Sequence, residues 1–142
     1  MLLTHTAFAD ARFRARVLLV DDHLPVLEQV SELLTPEFDI VGTATSGLQM
    51  IASALECRPD VIISDVSMPD VDGIEAARRL KSFQMNCAIV FLSINSDAEI
   101  VSTALAAGAL GYVHKTRAGT ELIPAIRQAL QGRQFISPAL QK

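Results

Sequence analysis

From residue 16 onward the chain alternates short apolar runs with longer segments whose apolar residues recur at helical spacing. The runs predict strands over residues 16–20, 39–43, 61–64, 88–92 and 111–114. The periodic segments predict helices near 25–34, 47–57, 73–83, 97–107 and 121–131. Pro25 suits an opening turn, where a missing N–H costs little. "SDAE" reads as a capping box of Ser96 and Glu99 at the start of the fourth helix, and Gly108 as the residue just past its end. Pro124 fits the last helix only if that helix begins near Thr120, which puts the proline in or beside the first turn.

Five strands alternating with five helices define an α/β fold, a doubly wound parallel sheet with right-handed crossovers and helices on both faces. Composition agrees with this. At 142 residues the chain fits one domain, burying roughly 68 to 70% of the surface exposed when unfolded. Half the residues are apolar but only 5% are aromatic, so Val, Ile, Leu and Ala must build the core. The net charge of −4 gives no basic face for a phosphate backbone, so this chain alone is a poor nucleic-acid binder. Cys57 and Cys87 share no metal spacing and read as buried, reduced thiols of a cytoplasmic protein. Residues 1–14 contain arginines but no continuous apolar stretch before them, and carry Asp10; they read as an N-terminal extension. No stretch approaches the roughly 18 apolar residues of a membrane span.

Sites in such sheets lie beyond the carboxyl ends of the strands. There the first strand ends in Asp21 and Asp22, the third in Asp65, the fourth in Ser93 and the fifth in Lys115. Three carboxylates held together repel, and desolvation sharpens the repulsion, so a cation is needed. Hard oxygen ligands with no nearby His or Cys favour Mg²⁺, which keeps several waters and takes one or two carboxylates. Lys115 is too single a charge to neutralise all three, and can serve an anion sharing the site. In "VIISDVSMPDVDG" the strand stops at Asp65 so that a nucleophilic oxygen can meet an incoming phosphoryl group. The turn that follows, permitted by Gly73, lets a backbone carbonyl, that of Ser67, complete the metal shell.

"VLLVDDH", "VIISDVSMPDVDG", "IVFLS" and "GYVHK", in this order and spacing, resemble the receiver domains of response regulators in two-component signalling. The resemblance covers residues 16–131 and implies a flavodoxin-like sheet of order 2-1-3-4-5, within a receiver domain over 15–131 followed by a tail or linker over 132–142. It implies that Asp65 is phosphorylated by a sensor histidine kinase, that Asp22 ligates Mg²⁺ directly and Asp21 mainly through water, that Ser93 and Lys115 bond the phosphoryl group, and that Tyr112 is the switch aromatic. Such a protein catalyses its own phosphorylation and dephosphorylation and is not otherwise an enzyme. Receivers often carry a cis proline after the lysine; here the residue is Thr116. Ser67 and Asn95 occupy variable places that tune phosphoryl hydrolysis. "VDDHLPVLEQV" and "AIRQALQGRQFISPAL" look like receivers that precede a LuxR-type helix-turn-helix domain. On this reading DNA is contacted only through that output domain, phosphorylation promotes a homodimer, and no membrane is involved.

Two rivals differ in class. An aspartyl phosphatase of the haloacid dehalogenase type wants an acid two residues after its nucleophile, where this chain has Ser67. A pseudo-receiver would not retain all five polar groups. No G-x-x-x-x-G-K-[ST] loop is present. His23 reads as a loop or capping residue, His5 and His114 have no partners that suggest chemistry, and Arg78 and Arg79 read as a solvated helix face.

Overall fold

The computed structural model describes residues 14–140. Its elements run β1 (Arg16–Val20), α1 (Leu24–Leu34), β2 (Asp39–Ala44), α2 (Gly47–Cys57), β3 (Val61–Ser64), α3 (Gly73–Ser82), β4 (Ala88–Ser93), α4 (Ala98–Ala106), β5 (Gly111–His114), a 3-10 turn (Lys115–Arg117), α5 (Ala118–Leu130), β6 (Phe135–Ile136) and a last 3-10 turn (Pro138–Leu140). All five strand pairings are parallel, in the order β2-β1-β3-β4-β5-β6. The expected 2-1-3-4-5 order is present, with a two-residue sixth strand added at the edge.

The strands read as continuous apolar runs because both faces of the sheet are covered. Leu18, Val20, Ile62, Ile89, Phe91 and Tyr112 face one core, shared with Met50, Ile74, Leu80 and Val101 of α2, α3 and α4. Val17, Leu19, Ile63, Val90, Leu92 and Val113 face the other, against Leu27 and Leu34 of α1 and Leu122 and Ile126 of α5. No helix among the described residues is long and apolar enough to cross a membrane.

Helix ends show where local chemistry departs from expectation. Gly108 closes α4 with φ +105, and the N–H groups of Gly108 and Ala109 reach back to the carbonyls of Leu105 and Ala104, a Schellman closure. The same helix does not open at a Ser96–Glu99 box. Asn95 Oδ1 accepts the Asp97 N–H, so the chain enters the helix one residue later, and Asp97 caps it by accepting from the Glu99 N–H at 2.8 Å. Pro124 does not lie in the first turn of α5, because the helix starts at Ala118. The ring occupies an exposed position, where water can take the Thr120 carbonyl that loses its helical partner.

Gly73 has a role other than the one expected. Its φ is not positive; a Cβ there would sit 2.2 Å from the Asp65 carbonyl oxygen and 3.0 Å from the Phe91 ring, so glycine serves a close approach of α3 to the end of β3. At the opposite edge Arg14, of the extension the only described residue, donates to Asp39 and to the carbonyls of Thr35, Pro36 and Phe38, tying the end of α1 to β2. His5 lies outside the described residues.

Gly73→Ala is therefore expected to lose about 1–3 kcal/mol of stability through overpacking against backbone. Gly119→Ala, on α5 where a Cβ would meet nothing within 4 Å, should be neutral or gain up to about 1 kcal/mol. Urea unfolding of both variants checks the contrast; a neutral Gly73→Ala would contradict the close approach.

Candidate functional site

Parallel register sets the strand ends level. Val20 pairs with Ser64, and Ser93 with His114, so the residues that follow β1, β3 and β5 emerge along one edge. The Asp65 N–H donates to the Val20 carbonyl and the Asp21 N–H to that of Ala44, which extends the ladder into the site and fixes both backbones.

The side chains converge as that placement requires. Lys115 Nζ lies 2.8 Å from Asp21 Oδ2 and 3.0 Å from Asp65 Oδ2. The other oxygens are also engaged: Asp65 Oδ1 accepts the Val66 N–H at 2.7 Å, and Asp21 Oδ1 accepts the His23 N–H at 2.9 Å. Asp21 and Asp65 are buried, whereas Asp22 is open to solvent. Burial alone would lower the pKa of Lys115, but its hydrogen bonds and charge interactions with Asp21 and Asp65 prevail and raise it above the ordinary lysine value.

His23 enters this cluster. It is the residue just before α1, as expected, but its side chain makes no capping bond; Nδ1 lies 3.1 Å from Asp21 Oδ1 and 3.0 Å from Asp22 Oδ1. One donor atom each from Asp21, Asp22, His23 and Asp65 falls within a mutual 4.8 Å. The adjacency of His23 to two carboxylates was the only signal in the sequence. Lys115 also does more than expected, since it bridges two carboxylates directly. Three carboxylates against one ammonium still leave the cluster net negative.

Ser67, Met68, Pro69, Ser93, Ile94 and Asn95 join Asp22, His23, Asp65 and Lys115 around an open cleft of about 580 Å³. Ser93 is buried and its hydroxyl accepts the Asn95 N–H at 3.0 Å. Tyr112, implied by the resemblance to be the switch aromatic, is fully buried here; its hydroxyl donates to the Asn95 carbonyl at 2.8 Å and its ring lies 6.3 Å from that of Phe91. Burial pushes the phenol pKa up, against an opposing hydrogen bond with Ser93. After Lys115 the chain continues in trans: every peptide bond among the described residues is trans, and His114 Nδ1 accepts from both the N–H and the hydroxyl of Thr116.

The loop after Asp65 is pinned from outside. Asp70 adopts φ +59, and its carboxylate accepts the N–H groups of Val71 and, at 3.2 Å, of Leu48 in the first turn of α2. The Val71 bond, opposed by desolvation and helped by further bonds from Leu48, Ser46 and Gly47, holds its carboxyl below the usual aspartate value. Gly47 allows the contact, because a Cβ there would lie 1.8 Å from the Val71 carbonyl oxygen.

A parallel α/β sheet with acidic groups and one lysine at the carboxyl edge is the architecture of a receiver, and residues 17–127 match the response regulator receiver domain. The chain belongs to that family. It is 36% identical over 128 residues to the nitrate/nitrite response regulator protein NarL of Escherichia coli K12, an alignment that covers 89% of this chain and 59% of NarL. It therefore spans about three fifths of the length of such relatives. Among solved structures it resembles a LuxR-family two-component response regulator from Aurantimonas sp. SI85-9A1, with TM-score 0.85, 32% identity, and 90% and 93% of the two chains covered. It also resembles the isolated receiver domain of RcsB from Salmonella enterica serovar Typhimurium, determined in the presence of the phosphomimetic BeF₃⁻, with TM-score 0.82, 26% identity, and 90% and 96% covered.

Lys115→Met should cost on the order of 3 kcal/mol near neutral pH, because Asp21 and Asp65 are left facing each other without their shared cation. Adding Asp21→Asn should recover part of that loss. The raised pKa of Lys115 also fixes a pH dependence. Its contribution is complete below the unfolded value of 10.5 and is lost as pH rises through the higher folded value. The difference in stability between wild type and Lys115→Met, followed by urea unfolding from pH 7 upward, should therefore shrink only above about 10.5; a difference independent of pH would refute the pairing.

Proposed function

We propose that this receiver accepts a phosphoryl group on Asp65 from a sensor histidine kinase, in a Mg²⁺-dependent reaction that it catalyses itself, and that the modification switches the surface formed by α4, β5 and α5. The observation that carries this reading is the Lys115 ammonium seated on oxygens of both Asp21 and Asp65. A carboxylate nucleophile is thereby held beside a cation able to follow the charge onto a phosphoryl group.

A carboxylate oxygen of Asp65 attacks phosphorus in line. A P–O bond forms as the P–N bond of the donor phosphohistidine breaks, and the departing imidazole nitrogen keeps the electron pair and takes up a proton. The Val66 N–H orients the carboxylate throughout. Lys115 then pairs with a phosphoryl oxygen, and the Ser93 hydroxyl donates to another. Mg²⁺, when bound, neutralises charge on the transferring oxygens. Its holders would be Asp22 directly, Asp21 through water, and Asp65 and the Ser67 backbone carbonyl. Three of the four clustered donor atoms suit it: carboxylate oxygens of Asp21, Asp22 and Asp65 lie within 4.8 Å of one another, with a His23 ring nitrogen beside them, and the charge stays net negative after Lys115 is counted. Ser67 and Asn95 flank the group and set how readily water removes it.

The switch follows from what Ser93 touches. Its hydroxyl oxygen accepts the Asn95 N–H. Turning it toward a phosphoryl oxygen releases Asn95, whose carbonyl holds Tyr112, and the segment leading into α4 must readjust. Moving an equilibrium from 1:99 to 99:1 takes about 5.5 kcal/mol, more than one hydrogen bond to a charged group supplies, so Lys115 shares the task. By likeness to the LuxR-family neighbour, we propose that the altered surface controls a LuxR-type DNA-binding domain in the cytoplasm, and that it favours a homodimer.

Intact mass after incubation with a small acyl phosphate and Mg²⁺ should show one added phosphoryl group, absent in Asp65→Asn; equal labelling of that variant would identify another acceptor. Mg²⁺ should raise the melting temperature with concentration, an effect largely lost in Asp22→Ala. Ser93→Ala should still accept phosphate but lose the backbone NMR shifts across residues 98–107 and 111–128 that accompany it in wild type. Retention of the full shift pattern would show that the hydroxyl is not the route.

A further inference from the structure

Among the described residues the buried charged side chains are Asp21, Asp65 and Glu121, and Glu121 plays no part in the cleft. It stands in the first turn of α5, 7% exposed. Arg117 Nε donates to its Oε2 at 3.1 Å, and the hydroxyl of Ser137 donates to its Oε1. Ser137 is itself 0% exposed. Its hydroxyl accepts the His114 N–H at 3.1 Å, and its own N–H donates to the Tyr112 carbonyl at 2.9 Å. One serine thus satisfies a buried carboxylate and grips β5 at two consecutive outward-facing backbone groups.

Burying a carboxylate and a hydroxyl is costly unless both are fully bonded, and an apolar pair would fill the same space more cheaply. What the polar pair adds is a single register. The hydroxyl reaches both partners only while residues 135–137 lie correctly along β5. Two paired residues are too few to hold an edge strand by themselves; Phe135, Ile136 and Leu140 add partial packing against the two cores, and Ser137 is the polar contact that fixes the register of the segment on β5. On the other side of the same backbone, Lys115 directly follows His114 and carries the ammonium seated on Asp65, and Tyr112 carries the phenol seated on Asn95.

We propose that Ser137 and Glu121 form a latch that positions the end of β5, and with it Lys115, against Asp65, and through which occupancy of Asp65 by a phosphoryl group is transmitted to the departing segment 135–140. The latch rests on the reading of Asp65 as the phosphoryl acceptor. Withdrawal of Lys115 from the carboxylates toward phosphoryl oxygens displaces the His114–Lys115 backbone and so strains the His114 N–H bond to Ser137. Linkage makes the effect reciprocal: whatever factor phosphoryl occupancy applies to latch opening, latch opening applies to phosphoryl affinity.

The test uses the 142-residue chain with Mg²⁺ and beryllofluoride as the phosphoryl probe. In wild type, hydrogen exchange across 133–140 should change on binding. In Ser137→Ala that segment should exchange freely in both states, and beryllofluoride affinity should shift on the order of five-fold or more, the usual lower range of coupling between linked sites. Glu121→Gln, whose amide oxygen still accepts the Ser137 hydroxyl, should keep most of the wild-type affinity. Equal affinity in wild type and Ser137→Ala, with the segment freed, would reduce the latch to a tail anchor and overturn the proposal. Unchanged exchange at 133–140 in wild type on beryllofluoride binding would overturn it without any variant. If wild type fails to bind beryllofluoride at all while Asp65→Asn behaves identically, the acceptor assignment itself has failed, a result separate from a latch that does not couple.

Discussion

The ammonium of Lys115 is the interaction on which the carboxyl edge of this sheet depends. Two buried aspartates end adjacent strands, and a parallel sheet gives them no freedom to separate. One cation bonded to both makes that placement tolerable. It does so incompletely, since Asp22 remains and the cluster stays net negative. A fully neutralised site would hold its groups too well to release them, whereas an uncompensated one would split the strand ends apart. The structure sits between those limits.

Everything around the lysine serves to keep its reach constant. Gly73 lets α3 close on the Asp65 carbonyl, the Val66 N–H fixes one carboxylate oxygen, and the β1 and β2 carbonyls take the N–H groups of Asp65 and Asp21. On the far side, Ser93, Asn95 and Tyr112 form a short hydrogen-bonded chain from the cleft into the α4 side of the core. Positioning is assigned to backbone and packed apolar side chains, and the polar groups that can move are few and adjacent.

Much of this was legible in the sequence for a physical reason. A doubly covered parallel sheet forces apolar runs that stop abruptly where the chain meets the site, so both the strands and the residues Asp21, Asp22, Asp65, Ser93 and Lys115 announce themselves. What escaped depends on distances between elements. Gly73 looked like a turn residue because steric contact with Asp65 has no local signature. Ser96 lost the cap to Asp97 because the side chain of Asn95 claimed the intervening N–H. Pro124 sits deeper in its helix than propensity allows, since exposure of the affected carbonyl and burial of Leu122, Ala125 and Ile126 outweigh one missing bond. The sixth strand is two residues long and has no periodicity to read, and its attachment includes Ser137 meeting a glutamate 16 residues away.

The clamp between Asp70 and the start of α2 makes the connection after Asp65 a counted segment. Surface loops ordinarily tolerate added residues, because their backbone is solvated and their ends are fixed only by the elements they join. Here the loop is fixed a third time in its middle. The Val71 carbonyl rests where a Cβ of Gly47 would lie, and Asp70 holds the Leu48 N–H from a left-handed conformation. An inserted residue before the clamp would shift Ser67 away from the cleft, and one after it would rotate Gly73 off the Asp65 carbonyl. The length of this exposed stretch is therefore as constrained as that of a buried strand, and variation among such chains should appear in its side chains while its residue count stays the same.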